Sequence, residues 1–277
     1  MPARRGRSPG TVEERLVSVL GQRIWVRVRW GEGAPLVLCN GIGAALDELD
    51  PLVAQLNPMT TVVRFDAPGS GLSPKSAIPY GFPYLAVTLM RLLRKLEIPE
   101  PVDILGFSWG GALAQQFAFQ YPRRCRKLIL AATATGAIMV PARPAVLRKM
   151  LTPRRFRDRR YAAEIVGDLY GGRARTDPAV VTNRFDRQPV ERSGAGYLHQ
   201  LLAGSVWTSI FALPLIRQPT LILAGTDDPI IPTINARIMH RRFPHSTLHL
   251  HSGGHIDLIT NAGELAPVIE RFRQDRP

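Results

Sequence analysis

The stretch LGFSWGGALAQQFAFQYP, residues 105–122, constrains this chain more than any other. An apolar run from Val102 to Leu105 leads into it and reads as a buried strand, and residues 110–121 carry helical spacing. Between them lies Gly106-Phe107-Ser108-Trp109-Gly110, a G-x-S-x-G sequence where strand turns into helix. A turn that sharp brings its flanking residues against the central serine, where a β-carbon would clash, so glycine is required on both sides. It holds Ser108 in a strained conformation with its hydroxyl exposed. It also aims a helix N-terminus at that hydroxyl, which favours developing negative charge. A bare G-x-S-x-G is common; set between strand and helix it is a specific sign of a nucleophilic serine.

The chain has 277 residues, 45% of them hydrophobic, enough for one large α/β domain with a substantial core. No apolar run approaches the roughly 18 residues that span a membrane. The first ten residues, MPARRGRSPG, are basic and lead into Thr11-Val12-Glu13-Glu14-Arg15. They read as a solvated tail and not as a secretory signal. Two cysteines, Cys39 and Cys125, suggest free thiols in a reducing, cytoplasmic setting. The net charge is +14, and 32 of the 36 basic residues are arginine. A genome rich in arginine codons accounts for that skew. Its functional reading is attraction to an anionic surface such as a coated granule or a lipid headgroup layer. No nucleic-acid motif accompanies the charge.

Short apolar runs recur at Leu36–Cys39, Thr61–Phe65, Val102–Leu105, Lys127–Ala131, Thr220–Ala224 and Thr247–His251, spaced as buried parallel strands. An antiparallel pair, 15–20 with 23–30, opens the chain around Gly21-Gln22. Helical candidates fall at 84–96, 110–121, 233–243 and 263–274. The alternation implies a mostly parallel, doubly wound sheet. From about Met139 to Leu213 no strand is evident, so residues 139–213 are expected to form a helical lid inserted after the sixth strand. Residues 1–138 and 214–277 would form the core. Between Pro141 and Arg192 there are 13 Arg/Lys against 6 Asp/Glu, which reads either as solvated helix faces or as a basic surface meeting a substrate phase.

A serine hydroxyl needs a base, and the base needs an orienting group. With this elbow the acid and then the base follow in chain order. Gly225-Thr226-Asp227-Asp228-Pro229 follows a late strand. Asp228 is the preferred acid because Pro229 rigidifies the turn, and Asp227 would then cap the turn through backbone N–H groups. Of six histidines, His255 follows Ser252-Gly253-Gly254, a flexible turn after the last strand from which an imidazole can reach a serine. His249 and His251 share one face of that strand as packed or edge residues. His240 and His245 default to the surface, and His199 lies in the lid. The oxyanion donors would be the backbone N–H groups of Trp109 and Ile42, the latter in the turn Asn40-Gly41-Ile42-Gly43. Asp66, in the turn 65–71, reads as structural. No metal-ligand cluster or dinucleotide fingerprint is present, and no cofactor is expected.

Together these elements resemble the α/β-hydrolase superfamily across nearly the whole chain. Its dehalogenase branch is disfavoured, since position 108 is serine and not aspartate. Longer segments are similar to the intracellular depolymerases of medium-chain-length poly(3-hydroxyalkanoates). They are residues 40–44, SWGGALAQQFA at 108–118, LAATATGAIMVP at 130–141, Tyr170-Gly171-Gly172, Trp207-Thr208-Ser209-Ile210, and PTLILAGTDDPIIPTIN at 219–235. The resemblance implies hydrolysis of stored polyester to (R)-3-hydroxy acids or short oligomers, with Ser108, Asp228 and His255 as nucleophile, acid and base. The lid would admit an extended apolar chain past residues such as Met139, Trp207 and Ile210, although for most such residues ordinary lid core is the plainer reading. A small-ester or lactone esterase, a carbon–carbon bond hydrolase and a granule-binding protein without turnover are the alternatives. The expected partners are a hydrophobic ester and a storage-granule surface.

Overall fold

The computed structural model describes residues 8–151, 158–179 and 194–275. Eight strands form one sheet in the order β1-β2-β4-β3-β5-β6-β7-β8. The opening hairpin pairs β1 (Val12–Val19) with β2 (Gln22–Arg29), and β2 also runs antiparallel to β4 (Thr60–Phe65). All other pairings are parallel, through β3 (Glu32–Cys39), β5 (Val102–Phe107), β6 (Cys125–Ala131), β7 (Thr220–Gly225) and β8 (Ser246–His251).

Strands β4, β5 and β7 are buried at every residue, as an inner strand covered on both faces should be. Their sequences are therefore mostly apolar, and the buried charges that interrupt them are paired, Arg64 of β4 with Asp50 and Asp103 of β5 with Arg126 and Arg273. Strand β3 begins at Glu32, four residues before the expected Leu36, and its register slips between Glu32 and Leu36. The intervening Gly33, Ala34 and Pro35 carry no strand signature, which is why the apolar pattern starts late.

Helices cover both faces. On one, α2 (Phe82–Lys95), α3 (Trp109–Gln120) and α8 (Thr233–Arg242) share a core containing Leu89, Phe117, Met239 and the hairpin's Ile24 and Val26. On the other, α1 (Asp50–Gln55), α9 (Asp257–Thr260) and α10 (Ala262–Gln274) pack Leu52, Leu258 and Ile269 against Leu38, Leu105 and Leu221. Helices α1 and α9 escape the periodic pattern because each is under two turns long.

Between β6 and β7 the described residues form α4 (Pro144–Leu151), α5 (Arg159–Tyr170), α6 (Gly172–Thr176) and α7 (Gly194–Val206). This segment packs in three ways, and in the first Val166 and Ala174 join the core of Leu38, Leu105 and Leu221. Ala142, Val146, Ile165 and Leu169 make a small separate cluster with Ile230. Ala203, Trp207, Ile210 and Leu213 instead join the main core. Of the basic residues counted there, Arg154, Arg155, Arg157, Arg184, Arg187 and Arg192 lie outside the described residues, as do residues 1–7 of the tail. Both cysteines are free and buried, and burial pushes their thiols up.

Candidate active site

Strand β5 ends at Phe107, and α3 starts at Trp109, so the whole turn is made at Ser108, with φ +52° and ψ −118°. A non-glycine residue holds such a conformation only when its surroundings impose it. Here β6 does so. The Ser108 N–H donates to the Ala131 carbonyl at 2.9 Å, and the Thr133 hydroxyl donates to the Ser108 carbonyl at 2.7 Å. The flanking glycines are needed for close approach. A β-carbon on Gly106 would stand 2.5 Å from the Gly110 carbonyl oxygen, and one on Gly110 would stand 2.1 Å from that of Cys39.

The three expected side chains meet. His255 Nε2 lies 2.9 Å from Ser108 Oγ, and His255 Nδ1 lies 2.9 Å from Asp228 Oδ2. His255 and Asp228 are buried, Ser108 half-buried. The Phe107 ring flanks the imidazole at 5.6 Å between centroids. Asp228 also performs the turn-capping expected of Asp227: its Oδ1 accepts the N–H groups of Ile230 and Ile231, each at 2.9 Å. One oxygen fixes the loop and the other faces the imidazole. Asp227 points away, accepting the Gly172 N–H at 2.7 Å and the Arg175 guanidinium at 3.2 Å. Desolvation opposes its ionisation, but these two partners hold its carboxyl below the usual range.

The acid and base loops are joined to each other and to the inserted helices. Asp227 N–H donates to the Gly253 carbonyl and His255 N–H to the Tyr170 carbonyl, at 2.9 and 2.7 Å. The Tyr170-Gly171-Gly172 turn is wedged between the two loops so closely that a β-carbon on Gly171, at φ +64°, would lie 1.8 Å from the Asp227 carbonyl oxygen. The Gly171-Gly172 pair is the one sequence signal of this contact, since both residues sit at positive φ; the bond to His255 itself is backbone.

The N–H groups of Ile42 and Trp109 have no protein acceptor among the described residues. The Gly41 carbonyl accepts the Ala44 N–H at 3.2 Å, and the Asn40 side chain braces the turn at Gly41 N–H and at the Ala45 carbonyl. A trans peptide holds its N–H opposite its carbonyl, so the turn bond at Gly41 leaves the Ile42 N–H directed away from the turn.

Met139, Trp207 and Ile210 do not join this cluster. Trp207 and Ile210 lie in the main core, with the Trp207 ring 5.0 Å from Phe82 and its Nε1 donating to Gln116, so they occupy packing positions. Met139 is half-buried. His199 stands edge-on to Tyr80 at 5.9 Å, and its buried Nδ1 has no hydrogen-bond partner among the described residues. His251, half-buried on the edge strand, also leaves Nδ1 unpartnered, and burial holds it below the usual imidazole range. His240 and His245 are exposed. Asp66 is structural: its carboxylate accepts the Leu46 and Leu72 N–H groups, and burial pushes it up to about 6. Among the described residues no group of His, Cys, Asp or Glu could hold a metal ion, and no helix is long and apolar enough to cross a membrane.

A family profile described as alpha/beta hydrolase fold matches residues 34–262. The chain belongs to the alpha/beta hydrolase family. A poly(3-hydroxyalkanoate) depolymerase of Ectopseudomonas oleovorans is 46% identical over 264 residues, spanning 94% of this chain and 92% of that protein. Among solved structures, the enol-lactonase from Burkholderia xenovorans superposes with a TM-score of 0.80 at 21% identity, covering 94% of this chain and all of that one. An esterase from Exiguobacterium antarcticum gives 0.78 at 22%, covering 96% of this chain and all of that one. Similarity at that identity speaks for the fold alone.

Proposed function

We propose that this protein is a serine hydrolase that cleaves the ester bonds of medium-chain-length poly(3-hydroxyalkanoate). The observation carrying the chemistry is the unbroken chain Ser108 Oγ, His255 Nε2, His255 Nδ1, Asp228 Oδ2, with both contacts at 2.9 Å. The observation carrying the substrate is the depolymerase relative, similar along nearly its full length.

Asp228 keeps the proton of His255 on Nδ1, leaving Nε2 free to take the Ser108 proton as the hydroxyl attacks the ester carbonyl. The carbonyl oxygen becomes an oxyanion and is met by the N–H groups of Ile42 and Trp109. Losing one such donor costs about 2.7–4 kcal/mol of barrier stabilisation. His255 then protonates the departing alkoxide, and the alcohol end of the chain leaves. Water, deprotonated by His255, cleaves the acyl-enzyme, releasing a 3-hydroxy acid or oligomer and regenerating Ser108. Residues 139–213 act as the lid over this site. The working location is the cytoplasmic face of a storage granule, with the basic residues of the lid favouring adsorption.

The test is clearing of a suspension of the polymer, with Ser108→Ala as control and soluble p-nitrophenyl esters of graded length in parallel. Clearing by the wild type alone supports the proposal. Turnover of soluble esters without clearing keeps the chemistry and moves the substrate to a small ester or lactone. Failure of a fluorophosphonate to label Ser108 would remove the catalytic reading altogether. Release of the protein from granules by added salt is expected if charge drives adsorption.

A further inference from the structure

Helix α7 carries Gln200, which is fully buried and bonded to three separate parts of the core. Its Oε1 accepts the Gly43 N–H at 2.7 Å. Its Nε2 donates to the Ser70 hydroxyl at 2.6 Å. Its backbone carbonyl accepts the Trp109 indole Nε1–H at 2.9 Å. Gly43 directly follows Ile42 in the turn after β3, and Trp109 directly follows Ser108. One residue of the inserted segment thus holds both loops whose N–H groups are assigned to the oxyanion.

From this juxtaposition we infer that Gln200 is a positioning residue for the oxyanion site, acting through Gly43 on the Ile42 N–H. This rests on the assignment of Ile42 and Trp109 as donors. The turn Gly41-Ile42-Gly43-Ala44 closes with a single backbone bond of 3.2 Å, and its third residue, Gly43, sits at φ +67°. A glycine in that place gives the chain wide backbone freedom, and an external anchor removes it. Gln200 is that anchor, because its amide oxygen fixes the Ile42–Gly43 peptide plane and so the direction of the preceding N–H. The anchor is itself rigid. Helix α7 meets the turn after β4 backbone to backbone, where a β-carbon on Gly196 would stand 2.5 Å from the Gly69 carbonyl oxygen. Ser70 then fixes the Gln200 amide from the other side. A preorganised donor needs no rearrangement when charge develops, and such fixed donors stabilise the transition state more than the ground state.

The experiment is a double-mutant cycle on a soluble p-nitrophenyl ester. Ile42→Pro removes the donor while placing proline second in the turn, where it is favoured. It is expected to lower kcat by about 10²–10³. Gln200→Met keeps an unbranched side chain of similar length but offers Gly43 only a thioether sulfur, a much weaker acceptor than an amide oxygen. It is expected to lower kcat about tenfold or more, with KM within about twofold. Added to Ile42→Pro, it should cost almost nothing further, because the donor it positions is already gone. Fully additive losses, a loss confined to KM, or unchanged kcat in Gln200→Met would overturn the inference. Unchanged kcat in Ile42→Pro would instead overturn the oxyanion assignment. If Gln200→Met does not fold, Ser70→Ala, which frees the amide from its far side, serves in the same cycle. A severalfold loss of kcat that vanishes on the Ile42→Pro background supports the inference, and an additive loss or none overturns it.

Discussion

The strand-end loops and the inserted helices make different kinds of contribution to one site. The loops after β5, β7 and β8 deliver side chains with recognisable chemistry: a strained serine, an aspartate before proline and a histidine after two glycines. Among its described residues, the segment between β6 and β7 delivers no titratable group to the triad itself. It supplies a backbone carbonyl at Tyr170, a backbone N–H at Gly172 and one neutral amide at Gln200. Reactive groups are thus carried by motif, while the groups that hold them still are carried by ordinary residues at points of close contact.

The comparison is tested most severely at the triad. Ser108→Ala and His255→Ala should each lower kcat by about 10⁴-fold or more without loss of the fold, measured by ester turnover alongside circular dichroism. Wild-type turnover in Ser108→Ala would remove the elbow from the chemistry. Asp228→Asn should cost about 10³–10⁴-fold, since an amide can favour the wrong imidazole tautomer. Gly171→Ala probes the inserted side. The methyl group has no room beside the Asp227 carbonyl, so the acid loop must shift. We expect about a tenfold fall in kcat and a lower Tm. An unchanged Gly171→Ala protein would show that the wedge is incidental. Asp227→Asn should change kcat by less than about threefold, because the amide oxygen can still accept the Gly172 N–H and only an exposed ion pair with Arg175 is lost. Should Asp227→Asn prove more damaging than Asp228→Asn, the acid has been assigned to the wrong neighbour.

The smallest expected effect concerns stability. Burial raises the Asp66 carboxyl to about 6 in the folded protein. The folded state therefore binds the proton more tightly than the unfolded chain does. Stability from this group is full below pH about 4 and is lost as pH rises to about 6, by on the order of 2–3 kcal/mol. Chemical denaturation of wild type and Asp66→Asn across that range should show their difference changing in this direction. A pH-independent difference would show that the two backbone N–H bonds already offset the burial. The exposed Asp168, whose carboxyl is lowered chiefly by Lys149, has the opposite sign: its contribution is lost as pH falls.

Reading the sequence located every strand of the sheet, the inner ones because a strand covered on both faces is mostly apolar and the opening pair because β-rich segments flank Gly21-Gln22. It missed the start of β3, where Gly33 and Pro35 interrupt the apolar pattern, and the helices at 50–55 and 257–260, which are too short to show a period. It named Ser108, Asp228 and His255 from loop position and spacing, and the structure brings these three within hydrogen-bonding distance. It gave turn-capping to Asp227, whereas Asp228 caps the turn with its second oxygen. It offered Trp207 and Ile210 either as lining for a substrate path or as ordinary lid core, and in the structure both pack in the main core.

What the sequence by itself determined is the architecture and the identity of the reactive groups. Both are written locally, in apolar periodicity and in glycines that only a sharp turn requires. What only the tertiary structure decided is how those groups are held. Gln200 is 157 residues from the Gly43 it anchors, and the Tyr170 carbonyl accepts the His255 N–H, a bond between main chains. A backbone hydrogen bond leaves no trace in residue type. A buried amide such as Gln200 becomes meaningful only when packing has taken it out of water and given it one set of partners.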